Sequence, residues 1–185
     1  MNKIRIGILS VALATLTAAG CPLISGQFLV KFNLPTPIDV TVAGGVGSAN
    51  VDLNTISEYK DHKDNVKDLA DFAVLADITN TTSPPAAIDV EVWITPTTTS
   101  YTTSAAVKGD ASAKRVWGPF HLNAGQSATI DWDKSAALFT ADGKNAIVTE
   151  LKGDGIFTAY VLSNTSAATF QVKNGVFAIV IDAGQ

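Results

Sequence analysis

One cysteine, one methionine and two histidines in 185 residues set the first limits on this chain. The lone thiol, Cys21, can close no intrachain disulfide and build no cysteine metal site, so the fold must rest on buried apolar surface. His62 and His121 are the only histidines available as a base near neutral pH. Neither lies in a Gly-x-Ser-x-Gly, His-Glu-x-x-His or His-x-x-x-His pattern. Positive charge is short too, with 13 Lys and Arg against 17 Asp and Glu. That balance argues against nucleic acid, or anionic lipid, held by a broad surface field. Past the first twenty or so residues no apolar run approaches the length a membrane-spanning helix needs. No motif calls for a cofactor.

What is present begins at the N-terminus. Lys3 and Arg5 precede an apolar run from Ile6 to about Leu16, and small residues follow up to Cys21. A charged start, an apolar middle and a small-residue end make a secretory signal. The segment Ala18-Ala19-Gly20-Cys21 resembles the lipobox of bacterial lipoproteins. The resemblance implies that residues 1–20 are a signal peptide removed before Cys21, and that Cys21 carries lipid chains, palmitate among them, that hold the protein on a bilayer. Residues 21–26 are then a short linker and residues 27–185 one domain. Pro22, rather than Asp, follows the cysteine, so the family's signal for inner-membrane retention is missing and the outer membrane is favoured. Extended, the linker reaches only about 17–20 Å.

The rest of the chain reads mainly as strands. Gln27–Leu34 alternates, and Ile38–Ala43 follows beyond Pro35 and Pro37. The glycine-rich stretch from Gly44 to Ser48 lacks the Lys-Ser/Thr pair of a phosphate loop and reads as a flexible turn. Thr55–Leu69 reads as the one amphipathic helix: Thr55 to Glu58 has a capping-box pattern, and Ile56, Tyr59, Val66 and Leu69 share a face. Asp61, Asp64 and Asp68 then lie on its solvated side. Further strands are expected at Phe72–Thr79, Ile88–Thr95, Tyr101–Val107, Arg115–Leu122, Ser127–Trp132, Ile156–Ser163, Thr169–Val172 and Val176–Asp182. A short helix over Asn145–Leu151 is stopped by Gly153. Asn123 to Gln126 should turn Arg115–Leu122 back onto Ser127–Trp132 as a hairpin. Short strands at even spacing with one helix predict a mainly β fold, an antiparallel β-sandwich. The segment from Phe120 to Ile130 is similar to turns in immunoglobulin-like and fibronectin-like domains, and that resemblance implies a topology of this kind.

Candidate sites are few. Strand parity puts Trp93 with Asp89 and Glu91, and Trp117 with His121, on faces turned outward. Such aromatics suit stacking on a sugar ring or an aromatic-rich partner. The competing reading makes both indoles a second small core under a helix or loop. Asp131, Asp133, Ser135 and Asp142 imitate the ligand spacing of a calcium loop, but Ala136 replaces the required glycine and Asp142 is too short for the bidentate glutamate. Asn80 and Asn164 begin Asn-x-Thr/Ser matches. The leading expectation is a membrane-anchored, non-enzymatic structural or binding component of the bacterial cell envelope. Its partners would be the lipid bilayer, through acylated Cys21, and an envelope protein or glycan. A hydrolase of envelope polymers and a carbohydrate-binding module are the alternatives.

Overall fold

The computed structural model describes residues 26–33, 38–43, 46–96 and 99–183. The signal-like segment, Cys21 and most of the linker lie outside the described residues, as do Pro35, Pro37 and the pair Gly44 and Gly45. The strands are β1 (Gly26–Asn33), β2 (Ile38–Ala43), β3 (Val46–Asp52), β4 (Val66–Asn80) and β5 (Ile88–Thr95). After them come β6 (Lys114–Leu122), β7 (Ser127–Ile130), β8 (Ile156–Ser163) and β9 (Ala167–Ala183). The helices are α1 (Ser57–His62), α2 (Ser104–Gly109), α3 (Trp132–Leu138) and α4 (Ala141–Lys152).

Among the described residues all pairing is antiparallel, in the order β6-β5-β8-β3-β2-β9-β4-β7, with β1 added to β9. Between β2 and β3 the only described pair is Ala43 and Val46. At that corner the path folds into two layers, β6-β5-β8-β3 and β2-β9-β4-β7, which makes an antiparallel β-sandwich. Val42, Phe72, Ile78, Ile179 and Ile181 of one layer meet Ile88, Val90, Ile94, Val116 and Leu122 of the other. Ile147 and Leu151 of α4 complete this core. Helix α4 packs on both β6 and β4 and so spans the layers on one side. Next to it, the Val74 N–H of β4, beyond the stretch paired with β7, donates to Ser135 Oγ of α3 at 2.7 Å.

Strand β9 is the centre of its layer. Its first half pairs with β2, its second half with β1, and β4 runs along both on the other side. The sequence reading splits it at Lys173–Gly175; the strand instead continues through Asn174, which takes a left-handed φ of 52°.

Several expectations are corrected. The Thr55–Leu69 helix is only α1, six residues long, flanked by 3₁₀ turns at Leu53–Thr55 and Lys63–Asn65. From Val66 the chain is strand. Register shifts at Val66/Asp68 and Leu69/Asp71 each insert one residue, so Val66, Leu69 and Phe72, which pair with Ala183, Ile181 and Ile179, fall three apart instead of two. Two bulges thus imitate a helical spacing. Helix α1 has Ile56 and not Thr55 as its N-cap; the Asp52 carboxylate accepts from Asn54 N at 2.9 Å, and Thr55 Oγ1 donates to the Asp52 carbonyl at 2.7 Å. Tyr101–Val107 is not a strand but leads into α2, where Thr103 Oγ1 accepts from Ala106 N. Val46–Ser48, read as turn, belong to β3.

The turn at Asn123–Gln126 is present, with Gly125 at φ 68° and Gln126 N donating to the Asn123 carbonyl at 3.0 Å. The hairpin is not. Strand β6 pairs with β5 and β7 with β4, so this turn carries the chain from one layer to the other, and the likeness to immunoglobulin-like turns loses its basis. The short helix before Gly153 is α4, starting four residues earlier than the periodicity shows.

Candidate functional site

Strands β5, β6 and β8 carry the polar groups the sequence singled out. Asp89 of β5 lies opposite His121 of β6, and Asp89 Oδ1 accepts from His121 Nδ1 at 2.7 Å. Asn164, just beyond β8, grips the same aspartate from two sides. Its Nδ2 donates to Asp89 Oδ2 and its Oδ1 accepts from Asp89 N, both at 2.8 Å. Asn123 Oδ1 lies 3.4 Å from His121 Nε2. Acceptors at both ring nitrogens favour the doubly protonated imidazole, so the Asp89 hydrogen bond, then that of Asn123, holds the His121 pKa above its ordinary value. The pair is open to solvent, at 57% and 39% exposure. Among the described residues neither ring nitrogen meets a serine or threonine hydroxyl.

Further along β5, Glu91 gathers three partners. Lys108 of α2 pairs with it at 2.8 Å, Arg115 of β6 at 3.3 Å, and Trp93 Nε1 donates to it at 3.0 Å. Burial pushes the Glu91 pKa up, but the Lys108 and Trp93 hydrogen bonds and the two positive charges outweigh it and hold the carboxyl below its ordinary value. Lys108 Nζ also stands 5.7 Å from the Trp93 ring centre, within cation–π range. Trp93 packs against a second small core of Val46, Val107, Ala113, Tyr160 and Leu162, roofed by α2. Sequence reasoning missed Lys108 as a partner because it read Tyr101–Val107 as a strand, whereas Lys108 lies in the last turn of α2.

Trp117 is the clearest correction. It is 2% exposed and belongs to the main core, against Phe120 at 5.7 Å between ring centres. Between the pairs Val90/Phe120 and Val92/Trp117, β6 advances three residues while β5 advances two. The extra residue falls at Gly118–Pro119, where Gly118 has φ 95° and a Cβ would stand 2.5 Å from the Val90 carbonyl. Parity counted from Phe120 and Leu122 therefore inverts at Trp117. Trp93 and Trp117 lie on opposite faces of their layer and form no shared aromatic platform; His121 stands apart from both. The Trp117 Nε1 is buried, with no hydrogen-bond partner among the described residues.

The calcium-loop spacing is taken up by helices. Asp131 caps α3 by accepting from Lys134 N at 2.9 Å, and Asp133 lies in its first turn. Ser135 is fully buried, its Oγ committed to Val74 N, and Asp142 lies in the first turn of α4. Among the described residues no group of three or more His, Cys, Asp or Glu could hold a metal ion. Asn80 is 1% exposed and donates to the Ala86, Leu122 and Asn123 carbonyls, so it is a structural clamp with no room for a glycan.

No protein-family model and no curated protein matches this chain. Among solved structures it is similar to dimeric latent PorU from Porphyromonas gingivalis, at 6% identity and TM-score 0.34, over 91% of this chain and 14% of that one. It is also similar to Desmodium yellow mottle tymovirus, at 12% identity and TM-score 0.31, over 90% of this chain and 93% of that one. Likenesses this distant say nothing about function.

Proposed function

We propose that the protein is a lipid-anchored component of the bacterial cell envelope whose β-sandwich is held close to the bilayer and acts by binding or by structure. The observation that carries this reading is the spacing between the lipobox-like cysteine and the first strand: β1 begins at Gly26, five residues after Cys21. Strand β1 pairs with β9 along its whole length, so the chain is fixed in the sheet from Gly26 onward. The polar groups of β5 and β6 support the same reading, since the exposed His121 and the half-buried Glu91 are each engaged by fixed partners. Outer membrane is the placement that Pro22 favours.

Metabolic labelling with a fatty acid tests the anchor. Wild-type protein should take up label and Cys21→Ser should take up none; an unlabelled wild type sinks the reading. Cross-linking in intact cells followed by pull-down then identifies the partner.

A further inference from the structure

Around His121 the side chains form a relay in which each group fixes the orientation of the next. Asp89 N can only donate, so the Asn164 atom that meets it is Oδ1, and Asn164 Nδ2 is the donor to Asp89 Oδ2, both at 2.8 Å. The Asp89 carboxylate can only accept, so His121 Nδ1, 2.7 Å from Asp89 Oδ1, carries a hydrogen. At the other end, Gln126 Oε1 accepts from Asn123 N at 2.8 Å and from Asn123 Nδ2 at 3.1 Å. Asn123 N can only donate, which orients the Gln126 amide. That amide in turn orients Asn123, with Oδ1 toward His121 Nε2 at 3.4 Å.

Only the doubly protonated ring satisfies both ends of this relay. A neutral imidazole keeps one hydrogen. On Nδ1 it serves Asp89 and leaves the Nε2 lone pair facing Asn123 Oδ1. On Nε2 it leaves a lone pair against the carboxylate, which is worse. The smallest adjustment is rotation of the Asn123 amide, which gives Nε2 a donor but sets Asn123 Oδ1 against Gln126 Oε1. Turning the Gln126 amide as well sets its NH₂ against the Asn123 N–H. No combination of flips satisfies every group. The Gln126 side chain is exposed and held by Asn123 alone among the described residues, so it is the one to part. The backbone of the turn is held separately. Asn80 N donates to the Gln126 carbonyl at 2.8 Å, Asn80 Nδ2 to the Asn123 carbonyl at 3.0 Å, and Gln126 N to the Asn123 carbonyl at 3.0 Å.

We propose that His121 is a proton-operated latch on the turn that carries the chain from β6 to β7. Charged, it keeps the Asn123 and Gln126 side chains locked together; neutral, it turns the Asn123 amide and frees the Gln126 carboxamide to solvent. Among the described residues Asp89 of β5 is the one charge that acts on the ring. Asn164, beyond β8, and Asn123 and Gln126, in the ring's own turn, are uncharged, and Glu91, further along β5, is committed to Lys108 and Arg115. The Asp89 hydrogen bond, then that of Asn123, raises the His121 pKa. The latch is therefore shut below the ordinary histidine value of about 6.5 and opens as pH rises through the raised one.

The test is a pH titration by NMR of the full chain, isotope-labelled and held in detergent micelles. Ring nitrogen shifts give the His121 midpoint, assigned by its absence in His121→Gln. The side-chain carboxamide signals of Asn123 and Gln126 should move with that same midpoint. Gln126→Ala keeps the backbone hydrogen bonds of the turn but removes the partner that opposes rotation of Asn123. Its His121 midpoint should fall by roughly half a pH unit, about a threefold easier loss of the proton. Gln126 is uncharged and bonded to Asn123, not to the ring, so an ordinary Asp89–His121 pair predicts no such fall. In an Asn123→Ala background the same substitution should leave the midpoint where it is, because the link is already gone. An unchanged midpoint in Gln126→Ala overturns the proposal, as does an equal fall in the Asn123→Ala background. Carboxamide signals that stay fixed while the ring titrates overturn it too.

Discussion

Gly143, in the first turn of α4, gives the sharpest test of how this fold closes. A helical Gly→Ala change ordinarily adds about 0.8–1 kcal/mol of stability. Here a Cβ would stand 2.3 Å from the Val116 Cα and 2.6 Å from the Arg115 carbonyl. Both are backbone atoms of β6, so no rotamer change relieves the contact. Ordinary separation requires α4 to retreat by roughly 1 Å, and the retreat pulls Ile147 and Leu151 away from the core they fill. It also strains the seam where Thr140 N donates to the Val116 carbonyl at 3.2 Å and Thr140 Oγ1 accepts from Gly143 N at 2.9 Å. Overpacking of this kind costs about 1–3 kcal/mol, and the propensity gain offsets only part of it. We expect Gly143→Ala to lose about 2 kcal/mol, read as a lowered urea midpoint at unchanged slope. Gly109, in α2, is the control, because a methyl added there would meet nothing within 4 Å. Gly109→Ala should be neutral or gain about 0.5–1 kcal/mol. If both variants shift the midpoint upward, α4 does not dock on β6 this closely and the reasoning fails.

Two further outcomes follow from α1 and the end of α4. Tyr59 is 1% exposed and its hydroxyl donates to the Leu151 carbonyl at 2.9 Å. Tyr59→Phe should cost about 1–2 kcal/mol by orphaning that carbonyl, and Tyr59→Ala about 3–5 kcal/mol by emptying the site, both measured by urea unfolding. Glu150 is buried, and burial, then the nearby Asp154 charge, raises its pKa. A carboxyl raised in the folded state binds its proton more tightly there, so its contribution is most favourable below the unfolded value of about 4.3 and declines as pH rises through the raised one. Glu150→Gln should therefore unfold at a higher urea concentration than wild type at pH 7 and differ less at pH 4; a loss at pH 7 would show that the carboxylate makes a net favourable contact.

The sandwich was legible because alternation survives in most strands. Ile88, Val90 and Ile94 face the core as counting predicts, and the apolar end of β9 is buried as its composition requires. Where the reading failed, backbone irregularity had altered the count. Bulges in β4 stretched a period of two to three and made a strand look helical. A bulge at Gly118–Pro119 turned Trp117 inward, and a second register shift, between Val92/Trp117 and Trp93/Arg115, restored the count beyond it. Gly143 hid the start of α4, because a glycine in a first turn reads as a breaker until the close approach of β6 explains it. At the candidate site, the Asp89–His121 pair needs strand register and Asn164 needs the fold. Neither is written in local sequence, whereas the cysteine at the lipobox-like segment is read directly from four consecutive residues.

The position of β9 has a consequence for how the protein is made. The last described strand to leave the ribosome is the one on which β1, β2 and β4 all depend. Until it emerges, those three have no strand to join them, and the earliest residues of the sheet must wait for the latest. Such long-range closure makes for slow folding of this layer, which is completed only once β9 is available. Until the final strand arrives, the edges of β1, β2 and β4 that face it stay unpaired and open to wrong pairing.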